Sequence, residues 1–129
     1  MSTHQKIETS NAPQALGPYS QAVKAGNLVF VSGQLPFDIS TGKLIEGTIP
    51  EMTLKVIDHL EAILKSSGSS LDKVVRCDVF LTDLKNFKEM NEAYATRFNS
   101  SIPPARQTIQ VSALPLNSPI EISCIGLLL

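Results

Sequence analysis

Thr48-Ile-Pro-Glu-Met-Thr-Leu-Lys-Val-Ile-Asp-His-Leu-Glu-Ala-Ile-Leu-Lys-Ser-Ser-Gly68, with Val74-Val-Arg-Cys-Asp-Val-Phe-Leu81 after it, is the stretch that decides the fold. Thr48 and Glu51 stand at capping-box spacing with Pro50 in the first turn, so a helix begins there. Met52, Val56, Leu60, Ile63 and Leu64 form one apolar stripe at helical spacing, and Gly68 ends it. The period then changes to two. Val75, Cys77, Val79 and Leu81 fall on one face of a strand, Arg76 and Asp78 on the other. A helix feeding such a strand is half of a crossover unit.

Working outward, residues 20–24 and 28–33 read as strands joined by the turn Ala25-Gly-Asn. Asp38-Ile-Ser-Thr-Gly is a second turn, leading to a short strand near Leu44-Ile45. Asn86-Phe-Lys-Glu caps a second helix, whose stripe is Phe87, Met90 (or Asn91), Tyr94 and Phe98. Strands at 106–112 and 120–127 finish the chain. The order is α+β, with two crossover units and two helices packed on one face of a mixed sheet. Yet Leu28-Val-Phe-Val and Ile125-Gly-Leu-Leu-Leu are apolar on both faces, which calls for burial on both sides. The uncovered face is expected to meet another copy of the chain. The alternative is a monomer with an exposed apolar sheet.

The totals exclude several classes. A length of 129 residues is one domain, 1–129. A formal charge of −1 and the absence of any Lys/Arg cluster leave no basic footprint for nucleic acid. No apolar run approaches a membrane span. The start, Met1-Ser-Thr-His-Gln-Lys-Ile-Glu, has neither an apolar signal region nor an Arg-rich transit character. Cys77 and Cys124 are expected as reduced core residues of an intracellular protein. His4 and His59 stand far from metal-ligand spacing, so no metal is expected.

Chemistry is read from Ser101-Ile-Pro-Pro-Ala-Arg-Gln-Thr-Ile-Gln-Val. Two prolines stiffen the approach to Arg106, at the start of a strand. Its forked donors match a carboxylate and stay protonated at any working pH. Glu121 opens the last apolar strand, where a carboxylate needs a reason. It would position or deprotonate a water, or protonate a leaving amine. Alternatively Arg106 and Glu121 form a structural ion pair, or Glu121 meets a cation at a subunit boundary. Thr108 shares the strand face of Arg106 and could donate to substrate or water, or serve only as a β-branched strand former. No Ser-His-Asp set or phosphate loop is present.

Gly17-Pro-Tyr-Ser-Gln-Ala, Val31-Ser-Gly-Gln, Gly68-Ser-Ser-Leu-Asp-Lys-Val-Val, Met90-Asn-Glu-Ala-Tyr, Pro104-Ala-Arg and Leu114-Pro…Ile120-Glu-Ile together resemble the Rid (YjgF) family of reactive intermediate deaminases. The resemblance runs from about Ile7 to Leu127. It implies a chorismate-mutase-like fold, a homotrimer with active sites between subunits, and no cofactor. It implies hydrolysis of 2-enamino and 2-imino acids, such as 2-aminoacrylate and 2-iminobutyrate, to 2-oxo acids and ammonia. Arg106 falls where the family's deaminase branch carries its arginine, and Tyr19, Ser32, Gly33, Asn91 and Glu121 fall on cleft-lining positions. Two departures stand out. Gln107-Thr108 replaces the common Ser-Cys, and His59 stands where many members carry asparagine. The expected location is the cytoplasm or the mitochondrial matrix. The rival readings are a non-catalytic trimer that binds small carboxylates or partner proteins, and an endoribonuclease or translation inhibitor.

Overall fold

The Thr48 capping box forms as read. Thr48 Oγ1 accepts from the Glu51 N–H at 3.3 Å, and Glu51 Oε1 accepts from the Thr48 N–H at 3.0 Å. The computed structural model describes residues 3–128, so Met1, Ser2 and the last leucine of the apolar end, Leu129, lie outside the described residues. Its strands are β1 (His4–Ile7), β2 (Ala22–Ala25), β3 (Leu28–Gln34), β4 (Phe37–Asp38), β5 (Lys43–Leu44), β6 (Val74–Leu81), β7 (Ala105–Gln110) and β8 (Ile120–Leu127). The helices are α1 (Ile49–Ser66) and α2 (Phe87–Arg97).

Six strands make one sheet in the order β1-β2-β3-β8-β6-β7, and β4 pairs β5 as a separate ribbon. Every neighbouring pair in the large sheet is antiparallel except β6 and β7. The unit β6-α2-β7 is thus an ordinary crossover. The unit β3-α1-β6 is a split one, because β8 slots between its two strands. The architecture is α+β, a mixed sheet with both helices on one face.

Val56, Leu60, Ile63 and Leu64 from α1 are fully buried against Val29, Val79, Ile120 and Ile122 from the sheet. Met52, at the head of the same stripe, is only partly buried. Truncating one such leucine or isoleucine to alanine would cost ~2–5 kcal/mol. The C-terminus of α1 closes in a Schellman motif. Gly68, at φ 87, donates to Lys65 O at 3.1 Å, and Ser69 donates to Leu64 O at 2.8 Å. Cys77 and Cys124 are free, buried and partners in register on β6 and β8.

The structure departs from the sequence reading at three places. Val75 is 40% exposed, and Val74 takes the buried place. A bulge is the cause: Val74 faces Gly126 and Arg76 faces Ile125, leaving Val75 without a partner across the ladder. Asn86 makes no side-chain cap on α2. Instead Asp83 accepts from the Lys85 N–H at 2.9 Å and starts a 3₁₀ turn that runs straight into the helix. The N-terminal strand β1 carries no apolar signal in the sequence, because its residues are mostly polar and exposed. On the face away from the helices, Arg76 and Asp78 pair with each other at 3.0 Å, and Gln107 donates to the same aspartate oxygen at 3.1 Å.

Phe30 and Ile109, on the face away from the helices, are 42% and 45% exposed. No helix among the described residues is long and apolar enough to cross a membrane.

Candidate active site

Arg106 sits one residue into β7, in register with Cys77 of β6, and therefore projects to the helix side of the sheet. Two residues of α2 receive it there. Arg106 Nη1 donates to Asn91 Oδ1 at 2.7 Å, and the guanidinium carbon lies 4.7 Å from the centre of the Tyr94 ring. Phe87, at the start of α2, adds a second ring at 5.7 Å. Arg106 itself is exposed, so the donors not used by Asn91 face solvent. Thr108 shares this side, in register with Val79. Its Oγ1 is buried without a hydrogen-bond partner among the described residues. Buried hydroxyls are normally satisfied, so an unpaired one marks a place where a further group would be welcome.

Glu121 lies on the other face. It is in register with Phe80, and its neighbours Ile120 and Ile122 point into the core beneath the helices. The ion pair considered between Arg106 and Glu121 is therefore not made within the chain; strand β6 stands between β7 and β8. Burial pushes the Glu121 carboxyl above its ordinary value of 4.5. Its carboxylate rests against Gly33, where an added Cβ would lie 2.5 Å from Oε2. Ser32 and Gly33 together oppose one residue of β8, a bulge bounded by the pairs Val31–Cys124 and Gln34–Ile122.

The rest of this second group is built around that bulge. Ser32 Oγ donates to Ser20 O at 2.6 Å and its N–H donates to Gln21 O at 2.9 Å, which ties β3 to the segment carrying Tyr19. The Ser32 proton is thus already engaged. Tyr19 donates its N–H to Gly17 O at 2.9 Å, while its ring is 55% exposed. Tyr19 and Gly33 share a groove of about 490 Å³ with Leu16, Leu35, Ile39 and Leu116. Neither Arg106 nor Glu121 lines it.

The seven residues expected at the site thus form two groups on opposite faces. Arg106, Asn91 and Thr108 make one. Tyr19, Ser32, Gly33 and Glu121 make the other. Sequence reasoning missed the contribution of Tyr94 and Phe87, which it read only as a core stripe. The available signal was spacing, since Tyr94 follows Asn91 by one helical step and Phe87 precedes it by another. The thiols are poor nucleophiles here: burial raises Cys77 to about 11 and lifts Cys124 well above its ordinary 9.0. Among the described residues no group of three or more His, Cys, Asp or Glu is placed to hold a metal ion.

A mixed sheet with two helices on one face carries an arginine held at the head of an edge strand and, on the opposite face, a half-buried glutamate. The chain belongs to the family described as Endoribonuclease L-PSP, known also as YjgF, Rid or RutC, whose model matches residues 9–128. A RutC family protein of Pyrococcus horikoshii is 46% identical over 93% of this chain and 94% of its own length. The Reactive Intermediate Deaminase A of Arabidopsis thaliana chloroplasts is 48% identical over 95% of this chain and 65% of its own. Among solved structures, RidA of a Psychrobacter species superposes with a TM-score of 0.91 at 44% identity, covering 96% of this chain and 99% of that one. Escherichia coli TdcF with bound serine superposes with a TM-score of 0.90 at 34% identity, covering 95% and 98%. These matches establish the chorismate-mutase-like fold shared by Rid proteins.

Proposed function

We propose that this chain hydrolyses 2-imino and 2-enamino acids, among them 2-aminoacrylate and 2-iminobutyrate, to 2-oxo acids and ammonia. It works without a cofactor, as a homotrimer of the cytoplasm or the mitochondrial matrix. The carrying observation is the Arg106 guanidinium, fixed by Asn91 and Tyr94 with its outer donors free. A 2-imino acid places a carboxylate beside an electrophilic C=N carbon. Arg106 grips that carboxylate through two parallel N–H···O bonds and orients the carbon for attack. Water adds to the carbon and passes a proton to the nitrogen, and the resulting carbinolamine expels ammonia as its hydroxyl becomes the ketone. Glu121, with its raised pKa, accepts the proton from water or returns one to the departing nitrogen. Thr108 offers its unpaired hydroxyl to substrate or water. Tyr19 covers the substrate's small side chain, and Ser32 and Gly33 shape the wall beside it.

The two groups of residues face away from each other within one chain, which supports a cleft completed by a neighbouring copy. The exposed Phe30 and Ile109 supply apolar surface for that contact. The name of the Arabidopsis relative points to the same chemistry.

The test is ammonia and pyruvate release while 2-aminoacrylate is generated in situ, with wild type beside Arg106→Ala. Acceleration that disappears in the variant supports the reading. An assembled wild type that leaves the decay unchanged sinks it. One second reading has an observation behind it: TdcF was solved with bound serine, so a cleft that binds small amino or oxo acids and catalyses nothing is the rival. Tight 2-oxo-acid binding without any effect on imine decay would select it. A ribonuclease reading fits poorly with a formal charge of −1, since RNA affinity rests largely on neutralised phosphates.

A further inference from the structure

We propose that Tyr94 is a positioning residue for Arg106, acting through the face of its ring. The inference rests on the proposed reading only in taking a carboxylate as the bound anion. Arg106 begins an edge strand and is exposed, a setting in which a long side chain ordinarily samples many rotamers. Here it does not lie free. Its guanidinium carbon is 4.7 Å from the Tyr94 ring centre, well within cation–π range, and Asn91 holds one nitrogen from the side. Tyr94 is in turn packed on all sides. It is 6% exposed, and its ring stacks on Phe98 with centroids 4.5 Å apart and planes 26° from parallel.

The Tyr94 hydroxyl is a second and independent observation. It is buried without an oxygen or nitrogen partner among the described residues and lies against the Cys77 thiol. The Cys77 sulfur is the only partner that hydroxyl has among the described residues, and sulfur is a weak one. The feature of Tyr94 that its surroundings use is the ring. An electron-rich face under the guanidinium offsets the water that Arg106 gives up, and it leaves the in-plane N–H donors directed outward. Asn91 sets the rotation about the ring normal and Tyr94 sets the plane. Together they would present the fork in one orientation before any substrate arrives, which is what a grip on a two-atom carboxylate requires.

The test keeps the ring's size and changes only its electrons. Phenylalanine, then mono-, di- and trifluorophenylalanine, are placed at position 94 of the full chain by nonsense suppression. The dissociation constant for 2-oxobutyrate is read by titration calorimetry. Tyr94→Phe should match wild type within about twofold, and binding should weaken stepwise with fluorination to ~10-fold in total. The same series in an Arg106→Ala background should be flat. A flat series with Arg106 present, or an equal decline with it absent, overturns the proposal. A readout without ligand separates this outcome from failure of the deaminase reading. In the free protein the Arg106 Nε–H proton should resonate upfield from ring current and exchange slowly, and should lose both properties in Tyr94→Leu. An Nε–H at its unstructured position in wild type overturns the platform whatever the enzyme assay shows. A shifted Nε–H in a protein with no deaminase activity leaves the platform standing and removes the reaction.

Discussion

The Glu121 carboxylate occupies the space that any side chain at position 33 would fill. An added Cβ on Gly33 would lie 2.5 Å from Glu121 Oε2 and 2.7 Å from its carboxyl carbon. The obstructing atoms are the end of a flexible side chain, so Gly33→Ala should fold, with its melting temperature lowered by only a few degrees, about 1 kcal/mol. The carboxylate must swing away. Imine hydrolysis should then fall by ~10–100-fold, the scale of a displaced acid–base group. Thermal melts beside ammonia release check both halves, and unchanged turnover would separate Glu121 from the chemistry.

Arg106→Lys keeps the charge and loses the fork. A charge-assisted contact is worth ~1.5–3 kcal/mol, so kcat/KM should fall by roughly 10- to 150-fold. Steady-state kinetics on 2-iminobutyrate would show it. A lysine variant near parental activity would mean that a point charge suffices.

Mixing chains distinguishes a shared cleft from a self-contained one. Arg106→Ala and Glu121→Ala chains, each expected to be inactive alone, are unfolded together and reassembled at equal concentration. If each cleft takes Arg106 from one copy and Glu121 from its neighbour, about one cleft in four regains both residues by random assortment. Activity near that fraction of wild type is expected. No recovery would place both groups in one chain's cleft.

His59 supplies a pH dependence of stability. It is 4% exposed, its Nε2–H donates to Phe37 O at 2.8 Å, and burial holds its pKa below the ordinary 6.5. The groups that bear on it are Lys55, which opposes protonation, and Asp58, which favours it. Because the folded pKa lies below the unfolded one, the unfolded chain takes up the proton first. Stability is therefore full above pH 6.5 and is lost as pH falls through the folded pKa. His59→Gln keeps a donor for Phe37 O and removes the titration. Over that window wild type should lose more of its melting temperature than the variant. Parallel melting curves would refute the assignment.

Much of this architecture was legible because α1 announces itself. Thr48 and Glu51 are local partners, and the stripe from Val56 to Leu64 needs no knowledge of the sheet. β1 was invisible for the opposite reason, since His4-Gln-Lys-Ile pairs through its backbone and carries little apolar pattern. Val75 was misplaced because a bulge shifts alternation by one residue, and nothing in Val74-Val-Arg announces the bulge. At the site, Arg106 and Thr108 were correctly read as sharing a face. Their relation to Glu121 was not legible, because it depends on which strand lies between β7 and β8. That is a property of topology, settled by residues far from either side chain.

Strand β7 stands at the margin of the sheet, with Arg106, Gln107 and Gln110 exposed along it and Pro103-Pro104 just before it. Proline and charge at a free margin discourage another strand from docking there. Such a margin would steer copies of this molecule from edge-to-edge stacking, the route to fibres, towards meeting broadside. The arginine proposed to grip the substrate would by its place also oppose polymerisation at this edge.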